Sequence, residues 1–484
     1  MSNTTYFAKG HGTFIFMLLL STVLFDSCAP TKELRQERKQ LPETYTLQSK
    51  DTTNSATLKW KKFFSDPNLL QLIDTALVNN QELNIMLQQI DVAQNEVKSR
   101  KGEYLPFIGY GAGAEVEKVG AFTRNGAVEK NLDIRDGEEF PEPFTDYSSG
   151  LFASWELDVW KKLRNAKKVA VLEYLSTIEG KNFMVTRLIS EIADSYYELL
   201  ALDNQLLFIQ QNLELQENAL NMVRIQKEAA RTTELGVRRF EAEVLKNQSH
   251  KFEVQQHIVE MENKINFLIG RQPQDIPRDA SGFIETTIDT LYAGVPAQLL
   301  QNRPDIRQAE YELEAAKLDI KVARANFYPT IGLRAGIGLQ AFDLKYLNTT
   351  PESLMYRVVG DLVGPLINRN AIKAAYNTAT LKQVQAVYEF EKAILNGYVE
   401  VVNQLSKIEN LKKSYDLKEK QVNALTESID LSTRLFQSAR IEYIEVLLTQ
   451  REALESKMEL VETKKDQLMA RINMYQALGG GWYE

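Results

Sequence analysis

The chain has 484 residues, 44% of them hydrophobic and 25% charged, with a formal net charge of -8. That length admits several ordinary domains or one fold of repeated parts, and the apolar share excludes a disordered chain. The acidic balance excludes a nucleic-acid partner, which needs a dense basic face, and the single cysteine, Cys28, excludes a disulfide framework and any multi-cysteine metal site.

Residues 1–27 read as an export signal, with Lys9 near the start and an apolar run from Phe14 to Phe25 ending just before Cys28. About twelve apolar positions are too few for a bilayer core that needs roughly twenty. Leu24, Phe25, Asp26, Ser27, Cys28 and Ala29 resemble a lipoprotein cleavage box, although Phe25 and Asp26 stand where small or aliphatic residues are usual. Cleavage there leaves Cys28 as an acylated N-terminus, each buried methylene contributing about 0.8 kcal/mol. Ala29, rather than an aspartate, follows it, which by resemblance to enterobacterial sorting favours the outer membrane. Residues 28–59 are polar and read as a lipid-anchored tether.

A first repeat is expected over 60–275. It holds two segments of period two, at about 106–119 and 146–158; in the second, Tyr147, Leu151, Ala153, Trp155 and Leu157 alternate with Ser148, Gly150, Ser154 and Glu156. The stretch between, Gly120 to Asp146, is charged, holds Pro141 and Pro143, and reads as an exposed loop. From about Trp160 to Ala229 there is no proline and only Gly180, so one very long helix is expected. Leu199, Leu202, Leu206, Ile209, Leu213, Gln216, Leu220 and Val223 step by threes and fours along it, a coiled-coil seam that demands a partner.

After a connector at 276–295, a second repeat at 296–478 has the same order, with strands at about 329–341 and 353–366 and a helix from Asn370 to Gln437. Its seam runs through Ile408, Leu411, Tyr415, Val422, Leu425, Ile429 and Phe436, interrupted by Lys418 and Ser432. Residues 479–484 form a tail. No other segment has the eighteen or more apolar residues of a transmembrane helix, so any spanning part must be β. Four strands cannot close a membrane barrel, which begins at about eight, and an open edge in lipid leaves unpaired backbone groups. The chain must share a barrel with copies of itself, and rotational symmetry makes their helices a second ring. The expected fold is mainly α with membrane β.

Several blocks resemble the TolC-like outer-membrane factor family, in its NodT/OprM-like lipoprotein branch serving resistance-nodulation-division pumps. The first runs from Trp60, Phe63, Phe64, Asp66 and Pro67 to Asn79 and Asn80. A second is Trp155 to Arg164, with Lys161 where the family has glycine. The most specific joins Leu299, Arg303, Pro304, Asp305 and Ile306 to Ala323, Arg324, Phe327, Tyr328 and Pro329; Gly364 with Pro365 and Ala477 to Trp482 complete the set. Within the third block, Pro304 and Asp305 suit a helix start and Pro329 forces the strand that follows.

The resemblance implies a homotrimer with twelve strands joined to a twelve-helix barrel. It also implies a periplasmic membrane-fusion adaptor and an inner-membrane resistance-nodulation-division pump as partners, with outer-membrane lipid around the strands. The helix-hairpin turns fall at Ala229–Gly236 and Ser438–Tyr443, with Ala230 and Ala439 where the family has glycine. Adaptor contacts are expected at Arg231, Thr232 and Thr233 in the first and at Arg440, Ile441 and Glu442 in the second, with Arg451 nearby. Glu445 matches an acidic residue lining the closed aperture, whereas Leu448 replaces its companion; on sequence alone Glu445 is equally well a solvated helix residue.

No catalytic, cofactor or metal residue is assigned. His250 and His257 lie two helical turns apart, too far for routine coordination of one metal. Gly109, Gly111 and Gly113 lack the spacing of a phosphate loop. A passive outer-membrane efflux channel is therefore the leading expectation. The competing one is a periplasmic coiled-coil adaptor or scaffold lipoprotein without a pore, which usually carries a β-rich lipoyl-like block that this sequence lacks.

Overall fold

The structure is a computed structural model describing residues 33–45, 53–287, 291–438 and 440–482. Cys28 and Ala439 lie outside the described residues. In chain order the elements are α1 (Trp60–Phe63), α2 (Pro67–Asn79), α3 (Gln81–Tyr104), β1 (Phe107–Glu117), α4 (Arg124–Asn131), β2 (Asp133–Arg135), β3 (Glu138–Glu139) and β4 (Phe144–Leu157). They continue with α5 (Lys162–Glu228), α6 (Glu234–Leu268), α7 (Leu299–Asn302), α8 (Pro304–Ala325), β5 (Thr330–Ala341), β6 (Leu354–Val363), α9 (Asn370–Gln437) and α10 (Tyr443–Ala477). Among the described residues no helix is long and apolar enough to cross a membrane. The chain divides into two compact units.

The unit holding Val92–Tyr174 and Tyr311–Val387 contains an antiparallel sheet of order β1-β4-β5-β6. Directly opposed residues of an antiparallel ladder share a face, so the register sorts every side chain. Ile108, Tyr110, Leu151, Ala153, Ile337, Leu333, Tyr356 and Val358 share one face. The other carries Glu115, Asp146, Ser148, Ser154, Arg334, Gln340, Arg357 and Asp361. The stretch expected as an exposed loop between β1 and β4 is largely exposed and also folds locally: Thr123 caps α4 by accepting the Gly126 amide at 3.1 Å, β2 pairs with β3, and Lys118 meets Glu142 at 2.6 Å. Charge content alone concealed this, because an eight-residue helix and strands of two and three residues leave too little periodicity to read.

Where β4 passes into α5, the buried Asp158 carboxylate accepts the amides of Leu163 and Arg164, each at 3.0 Å, and the Arg164 guanidinium closes on it at 3.1 Å. One residue before α5, Lys161 holds φ +60°, the left-handed region that favours glycine. Trp160 stacks on Tyr328 at 4.7 Å between centroids, and its Nε1 donates to the Pro329 carbonyl at 2.8 Å.

The other unit, built on Glu37–Asp91, Leu175–Glu310 and Tyr388–Glu484, brings residues of three of the sequence blocks into contact. Asp66 caps α2 by accepting the amides of Asn68 and Leu69 and also accepts the Tyr196 hydroxyl at 2.8 Å. Phe63 stacks on Tyr475 at 4.1 Å, and Tyr475 donates to the Leu58 carbonyl. Arg303 is buried and gathers Asp305 at 2.7 Å, Glu400 at 2.6 Å and the Ala477 carbonyl at 2.8 Å. Gly479 follows at φ +86°, where a Cβ would meet the Asn302 carbonyl oxygen at 2.5 Å, so the C-terminal glycine is sterically required. Trp482 Nε1 donates to the Gly479 carbonyl at 2.9 Å.

The segment between the repeats is pinned as well, Arg278 bridging Asp203 and Glu262 at 2.5 Å each and Lys464 donating to Thr286 O at 2.5 Å. Within the stretch read as a tether, Lys39 pairs with Glu310 at 2.6 Å and lies over the Phe390 ring, and Tyr45 is buried against Tyr398. Along α5 the expected seam is buried almost throughout: Leu199, Ile209 and Val223 are fully enclosed, and Gln216 accepts from Asn247 of α6 at 2.9 Å.

Candidate functional site

The sheet is the first functional surface. Its apolar face is most exposed on β1 and β6, with Tyr110 90%, Tyr356 80% and Val358 71% accessible, a pattern suited to a hydrocarbon environment and costly in water. The opposite face carries ionic groups beside Phe107, Phe152 and Val363: Arg334 pairs with Asp361 at 2.6 Å, Gln340 donates to Asp146 at 2.5 Å, and Glu115 stands directly across from Asp146. Strands β1 and β6 form the two edges and pair on one side only among the described residues.

The helix-hairpin turns are the second surface. At the first, the Arg231 amide reaches back to Gln226 O at 2.8 Å and the Ala230 amide to Lys227 O at 2.9 Å, the paired closure of a helix C-terminus. Ala230 occupies its left-handed position at φ +54°. Thr233 then caps α6 by accepting the Gly236 amide at 3.3 Å. Glu234 is held below the usual carboxylate range by its hydrogen bond to Lys227, with Arg238 adding at 2.8 Å. At the second turn Arg440 N reaches Leu435 O at 2.9 Å, the same span of five residues, and Glu442 stands at the N-cap of α10.

The two turns adjoin. The Tyr443 ring lies against Phe240 at 6.2 Å between centroids, and a Cβ on Gly236 would approach Tyr443 Cζ at 3.0 Å and Thr232 Oγ1 at 3.1 Å. Of the expected residues, Thr232 therefore lies at this junction, whereas Arg231, Thr233, Arg440 and Glu442 are exposed around it. Ile441, Glu442 and Glu445 line one groove of about 510 Å³ with Leu431 and Leu435 of α9. Glu445 is exposed, and Thr449 Oγ1 donates to its carbonyl oxygen at 2.7 Å. Sequence reasoning missed Gly236, Phe240 and Tyr443 as the contact joining the turns; the signal was a glycine in the first turn of a helix, where only close approach justifies it. Lipidation at Cys28 lies outside the described residues.

The sequence profile of the outer membrane efflux protein family matches residues 72–271 and 295–480. The chain is 29% identical over 432 residues to the solvent efflux pump outer membrane protein SrpC of Pseudomonas putida, covering 88% of each chain. It is 25% identical over 470 residues to the cation efflux system protein CusC of Escherichia coli O6:H1, covering 94% of this chain and 96% of that one. Its fold matches the open state of the MtrE outer membrane channel of Neisseria gonorrhoeae with a TM-score of 0.81 at 23% identity, over 94% of this chain and 99% of that one. With both halves of the sequence matched and the sheet and hairpins in place, the chain belongs to the outer membrane efflux protein family.

Proposed function

We propose that this protein is the outer-membrane duct of a tripartite efflux system, passively conducting what an inner-membrane pump exports through a periplasmic adaptor. One observation carries the reading: a sheet with an apolar face, an opposite face bearing ionic groups, and two edges that among the described residues pair on one side only. In lipid each unpaired backbone group costs several kcal/mol, and the strand directions alternate, so β6 of one copy meets β1 of the next in antiparallel pairing. Three copies of four strands give a ring of twelve, with the ionic face inward and the helices of the copies forming a second, twelve-helix barrel. A fatty-acylated Cys28 anchors each copy. Glu445, repeated threefold, lines the periplasmic aperture, and the residues around the Gly236–Tyr443 contact, Arg231, Thr232, Thr233, Arg440, Ile441 and Glu442, meet the adaptor.

The relatives are transport proteins, and conduction requires no catalytic residue or cofactor here. Relatives named for solvents and for cations align with 88% and 94% of this chain, which leaves the choice of cargo to the pump. Planar-bilayer recording tests the reading: the purified oligomer should open discrete conductances, and a preparation that stays monomeric, water-soluble and silent rejects it. Glu445→Gln should weaken cation selectivity in the same recordings; unchanged selectivity and unchanged susceptibility to large antibiotics remove Glu445 from the aperture.

A further inference from the structure

Immediately below the apolar face, where β4 leaves for α5 and α8 delivers the chain to β5, a groove of about 280 Å³ is lined by Trp160, Lys161, Asn165, Lys321, Arg324 and Tyr328. Its position follows from the topology. Strands β4 and β5 are the central pair of the sheet, so a neighbouring copy adding at β1 or β6 leaves this junction uncovered.

Its charge is unbalanced in a specific way. The carboxylates nearest in sequence are already engaged, Asp158 by Arg164 and two helix amides, and Glu156 by Lys162 at 2.6 Å. Among the described residues Lys161, Lys321 and Arg324 form no ion pair, and Arg324 Nε is enclosed without a hydrogen-bond acceptor. Helix α5 has no acidic residue in its first turn, and Lys161, Lys162, Arg164, Lys167 and Lys168 crowd its start. Cations at a helix N-terminus oppose the helix dipole, and among the described residues only Lys162 and Arg164 of these five meet a carboxylate, Glu156 and Asp158. Lys161 moreover sits at φ +60°, a conformation an L side chain adopts at a cost. An anion from outside the chain reconciles all three features. The flanking Trp160 and Tyr328, stacked and partly exposed, are the residue types that settle at the headgroup level of a bilayer.

We propose that this groove binds the headgroup phosphate of an anionic phospholipid in the periplasm-facing leaflet, one lipid per chain. Arg324 and Lys321 meet the phosphate, Lys161 adds a third cation, and the Trp160–Tyr328 pair packs along the glycerol region. The assignment rests on reading the sheet as a membrane wall. Native mass spectrometry of the full-length oligomer, released from mixed micelles, tests it by counting retained lipids. Phosphatidylglycerol should be retained at about one per chain and outcompete phosphatidylcholine severalfold. K161G and K321Q, both at exposed positions, should each lower that preference about threefold, and the double variant about tenfold. Equal retention of the zwitterionic lipid, or an undiminished preference in the double variant, overturns the assignment. Displacement of the lipid by millimolar inorganic phosphate also overturns it, assigning the groove to the free anion. Bilayer conductance recorded on the same preparations separates the two readings: silent wild type counts against the duct whatever the lipid count, and conducting variants that keep their lipid preference count against the groove alone.

Discussion

The two long hairpins are copies in sequence order but not in burial. In the first, α5 presents Leu199, Ile209, Leu213, Leu220 and Val223 to an interior completed by Val237, Phe240, Val244 and Val254 of α6. In the second, α10 is buried through sixteen positions, from Val446 to Ala477, yet the α9 seam at Ile408, Leu411, Tyr415, Val422, Leu425 and Ile429 is only half-buried. Leu417 and Leu431 are 67% and 60% exposed. A coiled-coil seam that finds its partner within the chain contributes to the stability of the chain. One left half-covered contributes to whatever covers it next, and by symmetry that is another copy. Duplication thus supplied two similar hairpins, and in the proposed oligomer the second is the one with a seam left for a neighbour.

The largest expected effect breaks this comparison directly. Ile209→Ala removes a fully enclosed side chain and should destabilise the chain by about 2–5 kcal/mol, read as a fall in the denaturation midpoint in detergent. Leu425→Ala, at the half-buried seam, should cost about 1 kcal/mol or less in the same measurement while raising the concentration at which the oligomer dissociates. Equal losses in both assays would mean that the seams are equivalent and that α9 is not reserved for a neighbour.

A mid-sized effect sharpens the comparison where the hairpins meet. Asp194 of α5 is largely enclosed, its Oδ1 lacks a hydrogen-bond donor, and burial pushes its pKa up to about 7 against the partial opposition of Lys264 and Lys407. The folded chain then holds a proton that the unfolded chain releases near 3.8. Stability from this group is present below that value, falls as pH rises toward 7, and stays lost above it. Asp194→Asn should therefore be more stable than wild type at pH 8, by on the order of 2 kcal/mol, and converge with it near pH 4. A melting difference independent of pH would show that Asp194 is ionised throughout.

Much of this architecture was legible because it is periodic. The alternation in β4 and β5 announced both faces of the sheet, and the α5 seam announced its own burial. The turns at 229–236 and 438–443 were expected from the family resemblance, which places hairpin tips between the long helices. What stayed hidden is what periodicity does not encode. Position 303 reads as part of a motif, but only the fold shows the reason, a guanidinium holding Asp305, Glu400 and a C-terminal carbonyl at once. The seams of α5 and α9 look alike in sequence, since a heptad specifies that a partner exists and not whether it lies in the same chain. Glu445 was matched by resemblance to an acidic aperture residue, whereas Leu431 and Leu435, which line a groove with it, come from another helix and needed the fold.

The smallest effect concerns the first turn. Ala230 sits at φ +54° and closes α5 through the amides of Ala230 and Arg231. An alanine in that region costs roughly 1–2 kcal/mol against right-handed backbone, and glycine avoids most of it. Glycine also loses more backbone entropy on ordering, by roughly 0.5–1 kcal/mol, so the two terms nearly cancel and Ala230→Gly should stabilise by less than about 1 kcal/mol. The global melting temperature would scarcely move. Hydrogen exchange is the sharper reading, because opening at a turn is local: the amides of Ala230 and Arg231 should exchange about two- to threefold more slowly in the glycine variant, while those at the enclosed Ile209 stay as they are. Faster exchange at Ala230 would mean that the entropy of the open turn outweighs the relief of the closed one, and that the alanine holds the first turn better than the residue its backbone favours.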